Sequence, residues 1–520
     1  MDHSNMLDIS SRLQLFVDDQ LIDRLDGVQH HLHHPVPREV ALTIDQPWEK
    51  LWQRDERLDP TPFGYSSVMK DGDIYRMYYT WDVGRRRGCL TGYAESRDGI
   101  AWEKPNLGIV EFEGSKDNNL VWDGPRHFDF TPFRDANPDT NPDELYRTLI
   151  GLPHVPLASP DGIHWRQLKE EAVLTDGAFD SQNIVFWDTG LKCYVAYYRD
   201  FVKAEGEGIR VIKRAISGDF LDWPPGELLD YGGAPIEHFY TNGIIPYYRA
   251  PDLYVGFPMR FVPGRKAVPE HSADGVSDAV FMFSRDGLHW DRRFMEGFVR
   301  PGLDRENWTE RNFLMTWGIV PAGPAEMSIY WVEHFRHPTN RIRRGVLRTD
   351  GFVSINASYK GGQVLTKPLM FQGGRLLLNY STSAVGSIRV ELLSETSEPV
   401  AGFSGEDAPN IYGDQVTGEY RWNSETDISQ MAGKPIRLRL SLKSIHFGSA
   451  ARTGSKTDGK VPYLRTACCN APPDLHPAQC PVRDDLEPRC DHLQTPVDLR
   501  EQCPFQGADA SPDFRPSGSV

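Results

Sequence analysis

A short pattern recurs along this 520-residue chain and constrains its fold more than any other feature. It reads Ser96-Arg97-Asp98-Gly99-Ile100-Ala101-Trp102, then Ser159-Pro160-Asp161-Gly162-Ile163-His164-Trp165, and returns in full at Ser284-Arg285-Asp286-Gly287-Leu288-His289-Trp290. A weaker copy is Ser217-Gly218-Asp219-Phe220-Leu221-Asp222-Trp223, and a degenerate fifth is Arg348-Thr349-Asp350-Gly351-Phe352. The aspartates at 98, 161, 219, 286 and 350 are separated by 63, 58, 67 and 64 residues, so a unit of near-constant length occurs five times. The pattern is turn chemistry. Asp accepts backbone N–H bonds, Gly supplies positive φ, and the Trp packs between neighbouring units.

Each unit also carries an aromatic strand: Tyr75 to Tyr79, Tyr146 to Ile150, Tyr194 to Tyr198, Tyr254 to Phe257 and Ser328 to Val332. Hairpin pairs such as Asp71-Gly72 precede several of them. No long 3.6-period apolar stripe interrupts this rhythm between Asp59 and Asp350. Short strands in five equal units predict an all-β chain with a five-bladed β-propeller. A β-sandwich array would explain the Asp-Gly turns, but not five equal spacings with a Trp at one offset. The expected innermost strands are Tyr65 to Met69, Phe130 to Asp135, Asn183 to Trp187, Gly243 to Tyr247 and Phe313 to Val320. Leu15 to Ile22 reads as a strand that closes the ring against the last blade.

After Gly351 the rhythm changes. Strands with Gly turns, such as Gly374 to Tyr380, Gly386 to Leu392 and Pro435 to Leu440, predict a small β-sandwich. From about Gly448 the chain becomes Pro-, Asp- and Cys-rich with few apolar residues, the composition of a disordered tail. The expected organisation is an N-terminal segment 1–55 with the ring-closing strand, a propeller 56–355, a sandwich 356–447 and a tail 448–520.

Lys+Arg 57 against Asp+Glu 73 leaves a net charge of -16, which argues against nucleic acid or an anionic membrane surface as main partner. No apolar run is long enough to span a membrane, and the start lacks a basic, then apolar, leader. The chain as written reads as cytoplasmic; trimming of a signal would make it periplasmic or secreted. Five of the seven cysteines fall after residue 467 at spacings that match no zinc ribbon or finger. The run His30-His31-Leu32-His33-His34 has no carboxylate at ligand spacing and reads as a solvated loop, so no metal site is assigned. No motif asks for a cofactor; a structural calcium is left open. The oligomeric state is not legible.

In a propeller the segments entering the innermost strands converge at one mouth. The candidates there are Asp59 and Tyr65 in the first unit, and His127, Asp129 and Asp135 in the second. The third offers Asp180; the fourth Glu237, His238, Tyr240 and Asn242; the fifth Trp308, Glu310 and Arg311. Glu333 and His334 follow a second strand and rank lower. Converging carboxyls suit glycoside hydrolysis, in which one acid protonates the leaving oxygen and one carboxylate activates water or attacks the anomeric carbon. Crowding raises the pKa of one of them, and aromatic residues suit sugar faces. The phosphate loop, the Gly-x-Ser-x-Gly elbow and His-Glu-x-x-His are all missing.

The chain resembles the five-bladed propeller glycosidases related to glycoside hydrolase families 32 and 43, and more closely a group of bacterial glycosyl hydrolase-like proteins. The resembling segments are Leu15 to Ile22, Pro47-Trp48-Glu49, Asn118 to Val121, Pro132 to Pro138 and Arg348 to Ser354, within residues 13–447. The resemblance implies a funnel-shaped site with three acidic residues and a sandwich that is not itself catalytic. Asp180 is similar to the acidic motif that opens a second- or third-blade inner strand, and Glu237 or Glu310 could match the general acid. For the first-blade Asp, the residues Asp18, Asp19 and Asp59 compete, none in an Asn-Asp-Pro-Asn-Gly-type motif.

The leading expectation is a glycosidase acting on a carbohydrate, with Asp180 as base or nucleophile, Glu310 as acid and Glu237 or Asp135 as a tuning carboxylate. A phosphorylase or transglycosidase would need a basic pocket, for which Arg134, Arg260 and Arg311 are candidates. A non-catalytic carbohydrate-binding propeller is the third reading.

Overall fold

The computed structural model describes residues 6–54, 60–82, 89–123, 129–204, 207–424 and 427–448. The tail from 449, Asp59 and His127 lie outside the described residues. Among the described residues the strands form six four-stranded sheets and one nine-stranded sheet. No helix among them is long and apolar enough to cross a membrane.

Five of the four-stranded sheets follow the five repeats. The first holds Tyr65–Asp71, Ile74–Asp82, Cys89–Ser96 and Leu120–Trp122; the second Phe133–Arg134, Tyr146–Ile150, Val155–Ser159 and Arg166–Gln167. The third holds Ile184–Asp188, Cys193–Ala204, Glu207–Ser217 and Glu227–Leu228; the fourth Ile245–Tyr247, Ala250–Gly256, Met282–Ser284 and Trp290–Asp291. The fifth takes Val320–Pro321, Glu326–Glu333 and Arg341–Arg348 from its own repeat and Val36–Thr43 from the N-terminal segment. The sixth sheet (His238–Phe239, Met259–Val262, Val276–Val280, Gly297–Val299) belongs to the long fourth repeat.

The repeated turn does what its residues dictate. Oδ1 of Asp98 accepts the N–H groups of Ile100 and Ala101 at 2.8 and 2.9 Å, and Oδ1 of Asp286 accepts those of Leu288 and His289 at 2.9 and 2.8 Å. Those backbone bonds hold the Asp98 carboxyl below its ordinary range. Gly99, Gly162 and Gly287 have φ of 72°, 78° and 75°; in the third repeat Phe220 takes the same conformation at 73°. Three of the turns then meet the sheet of another repeat. Tyr78 Oη donates to the carbonyl of Gly162 at 2.9 Å, Tyr197 Oη to that of Gly287 at 2.8 Å, and Tyr330 Oη to that of Gly99. The repeat tryptophans stand edge-on to the same tyrosines: Trp102 to Tyr330, Trp165 to Tyr78 and Trp290 to Tyr197.

The N-terminal segment departs from expectation. Leu15 to Ile22 does not pair with the fifth sheet; Val36–Thr43 pairs with Arg341–Arg348 instead. The reason is that Leu15 to Val17 is apolar on both faces. Leu15 and Val17 enter a core with Phe281 and Phe352, while Phe16 enters the core of the nine-stranded sheet. Asp18 is held there by Arg285 at 3.0 Å. The run His30 to His34, read as a solvated loop, begins inside a strand, Val28–Leu32, paired with Val353–Ala357. Leu7–Ser10, Ile22–Asp26 and Val28–Leu32 thus join six C-terminal strands from Val353 to Gly448 in one sheet.

Candidate functional site

A pocket of about 200 Å³ takes a lining residue from the segment leading into the first strand of every repeat sheet: Tyr65, Asp129, Asp180, Tyr240 and Arg311. Hydrogen bonds lock these lead-in segments to one another. Asn183 N–H donates to Asp129 Oδ2 at 2.5 Å, Ser181 Oγ to the Tyr240 carbonyl at 2.5 Å, and Gln182 Nε2 to the Ser66 carbonyl at 2.6 Å. Trp317 Nε1 donates to the Ile244 carbonyl at 2.8 Å, and Ser66 Oγ lies 2.8 Å from Thr316 Oγ1.

The two carboxyls in the pocket have opposite surroundings. Asp129 is fully buried, and burial pushes its carboxyl well above the ordinary range despite bonds from Thr131 Oγ1 and Asn183 N–H. The Asp180 side chain is 64% exposed and lies 3.4 Å from Arg199. Tyr65 is pushed well above the ordinary phenol range, first by burial and then by its neighbours Tyr240 and Asp180.

The pocket is basic although the chain is acidic. Guanidinium carbons of Arg199, Arg210 and Arg311 lie 5.4, 5.5 and 5.6 Å from the Tyr240 ring centroid, and Arg336 joins the lining. Burial and the neighbouring Arg199 lower the pKa of Arg210. Glu310 is 2% exposed, with Arg311 Nε 2.5 Å from Oε2 and Arg336 Nη1 2.9 Å from Oε1. This Glu positions arginines; its oxygens are engaged by cations rather than turned to the pocket. Of the twelve non-glycine residues with positive φ among the described residues, Asp129, Arg311, Phe313, His334 and Arg336 stand in or beside this pocket. Such conformations cost about 1–3 kcal/mol each and gather at functional sites.

Other expected site residues lie apart from the lining. Asp135 is at the exit of its strand, where it accepts from Tyr194 Oη at 2.7 Å and pairs with Arg147 at 3.2 Å. Asp71 plays the same part for Tyr146 in the first sheet, so the exits form the rim opposite the entries. Glu237 is tied to Arg260 and Arg292 at 3.1 and 2.7 Å. His238 Nδ1 accepts from the Arg210 N–H at 3.4 Å. Buried Asn242 donates to the carbonyls of Gln182 and Tyr197, and Trp308 donates to that of Gly302. Arg134 and Arg260 are spent on Asp71 and on Glu237 with Asp278.

Sequence reasoning missed Thr80, Trp81, Arg199, Phe335 and Arg336. The signal was available in hairpin register. Tyr65 pairs with Thr80 and Ile184 with Tyr197, so the end of each second strand returns to the rim where the first strand starts. By the same logic the segment after Glu333 reaches the pocket rather than lying away from it. His334 itself faces Asp304 at 2.8 Å, and Glu333 is held by Arg341 and Arg343.

No family model matches the chain. The uncharacterized protein Rv1502 of Mycobacterium tuberculosis is 30% identical over 176 residues, covering 31% of this chain and 53% of that protein. The uncharacterized protein MT1551 of a second strain of that organism is 30% identical over 175 residues with the same coverage. The chain therefore spans about half the length of the curated relatives it matches. Among solved structures, a glycoside hydrolase shows 15% identity and a TM-score of 0.39, over 58% of this chain and 96% of that one. The Bombyx mori GH32 beta-fructofuranosidase BmSUC1 shows 11% identity and a TM-score of 0.36, over 82% and 94%. A member of the GH130 family of mannoside phosphorylases and hydrolases shows 13% identity and a TM-score of 0.34, over 64% and 96%. At these scores the likenesses establish no shared activity.

Proposed function

We propose that this chain is a glycoside hydrolase working in the pocket lined by Tyr65, Asp129, Asp180, Tyr240 and Arg311. One observation carries the reading: two carboxyl groups share that pocket, one fully buried and raised, the other open to solvent beside Arg199. Paired carboxyls whose environments separate them supply an acid and a base. Asp180 is assigned as base or nucleophile, and Asp129 takes the acid role that sequence reasoning gave to Glu310. Glu310 orients Arg311 and Arg336. Tyr65, Tyr240 and Trp81 give the substrate aromatic and hydroxyl contacts.

On this reading the five repeat sheets are blades of a closed five-bladed propeller spanning about 56–355, with Val36–Thr43 as the closing strand. The tyrosine-to-turn bonds from sheet to sheet support it, as does the Val68 N–H bond to the Trp317 carbonyl between the first and fifth repeats. The C-terminal strands, with three N-terminal ones, form a non-catalytic module built on the nine-stranded sheet.

The four arginines favour a second reading on the same site, in which inorganic phosphate replaces water as the attacking group. A screen of glycans and aryl glycosides, with and without phosphate, separates the two. Wild-type cleavage reduced ~10³-fold in Asp180→Asn and in Asp129→Asn supports the assignment. Cleavage that persists in both variants overturns it, and sugar binding without cleavage of any substrate moves the chain to the binding-protein reading.

A further inference from the structure

Far from that pocket, three imidazoles meet on the nine-stranded sheet. His31 lies in Val28–Leu32, His33 follows it, and His446 lies in Ile436–Gly448. Both strands flank Val353–Ala357, with His31 opposite Ser354 and His446 opposite Asn356. Strand alternation puts His31 and His33 on one face and His30, Leu32 and His34 on the other. Accordingly His30 Nε2 lies 3.3 Å from the Asp18 carbonyl and His34 Nδ1 lies 3.0 Å from the Phe298 carbonyl, turned away from the group.

The three rings form a nearly equilateral triangle, with centroids 5.0, 5.1 and 5.2 Å apart. One nitrogen from each falls within 4.8 Å of the others. Around a tetrahedral ion bound at about 2.1 Å, ligand nitrogens stand about 3.4 Å apart, so a bound ion would draw the three rings closer together. The flanking strand supplies orienting groups. Ser354 Oγ is 2.8 Å from His33 Nε2 and 3.3 Å from His446 Nδ1, and its hydroxyl oxygen can accept an N–H from each ring.

We propose that His31, His33 and His446 form a binding site for one divalent metal ion of the zinc class, tying the N-terminal strand to the last described strand. Imidazole ligands with no carboxylate select zinc, copper or nickel over calcium or magnesium. His31 and His446 are exposed, which leaves the outward coordination position to water or a further ligand. The sequence reading missed this because it sought a complete ligand set within one segment.

The test uses the full chain, stripped with chelator and titrated with Co²⁺ and Zn²⁺. One equivalent of Co²⁺ with tetrahedral visible absorption is expected, along with a rise in Tm on adding Zn²⁺. His446→Gln lowers affinity at least ~10²-fold, and His34→Gln leaves it unchanged. Circular dichroism checks folding of each variant, and exposed His31→Gln replaces His446→Gln if the latter does not fold. Absence of stoichiometric binding, or binding that His446→Gln and His31→Gln leave intact, overturns the site.

Discussion

The backbone N–H of Asn183 donates to Oδ2 of Asp129 at 2.5 Å, so a fully buried carboxyl joins the second and third repeats at the pocket. Its raised folded-state pKa has a thermodynamic sign. A raised group contributes stability that is complete below its unfolded value and is lost as pH rises through the folded value. Urea midpoints of the wild type are therefore expected to fall, relative to Asp129→Asn, as pH rises above the ordinary carboxylate range. A constant difference between the two proteins would show that Asp129 does not titrate in this way.

His154 gives the opposite dependence. Burial holds its imidazole down to about 3. The unfolded chain takes up a proton near pH 6.5 that the folded chain refuses, so stability present above that pH drains away toward pH 3. The slope is about 1.4 kcal/mol per pH unit for one such group. His154→Gln should flatten the acid limb, read from denaturation midpoints between pH 4 and pH 7.

The sheet-to-sheet joints can be probed at Tyr197 and Gly287. Tyr197→Phe removes one hydrogen bond to a buried carbonyl and is expected to cost about 1 kcal/mol. Gly287→Ala should cost more, at least ~2 kcal/mol, because its φ is 75° and a Cβ there would meet Tyr197 Oη at 2.5 Å. Chemical denaturation of both variants checks the order; equal losses would mean that the close approach is relieved elsewhere.

Glu310→Gln removes the carboxylate charge that Arg311 and Arg336 share. Breaking a fully buried pair costs about 3–5 kcal/mol, and a loss of about 2 kcal/mol is expected here because Arg311 and Arg336 keep partial contact with water. On the proposed function the variant weakens substrate binding while retaining turnover at saturation. A fall in kcat with KM unchanged would instead return Glu310 to the acid role.

The repeat was legible because one local device, a Ser-Asp-Gly turn followed by Trp, carries its own hydrogen bonds and leaves an unmistakable spacing. That Asp129, Asp180 and Tyr240 gather at one pocket was legible for the same reason: once the period is known, the segments before the first strands can be counted. What was hidden depends on pairing between distant segments. Val36–Thr43, the fifth sheet's last strand, carries Pro37 at its edge and pairs with a segment about 300 residues later, which no local pattern announces. Leu15 to Val17 looked like a paired strand because apolar residues on both faces also suit a linker wedged between two cores. Arg199 and Arg336 needed hairpin register, and the histidine triangle needed residues from both ends of the described chain.

The placement of Val36–Thr43 bears on how the molecule is made. Glu39 meets Arg344, 305 residues later, and Val28–Leu32 waits for a strand that begins at Val353. At translation rates of about 5–20 residues per second, the earliest strands stay unpaired for tens of seconds after emerging from the ribosome. Their partners are among the last to appear, so the fifth sheet and the nine-stranded sheet can only assemble late. Until then the nascent chain carries open strand edges, the kind of surface on which chains associate wrongly.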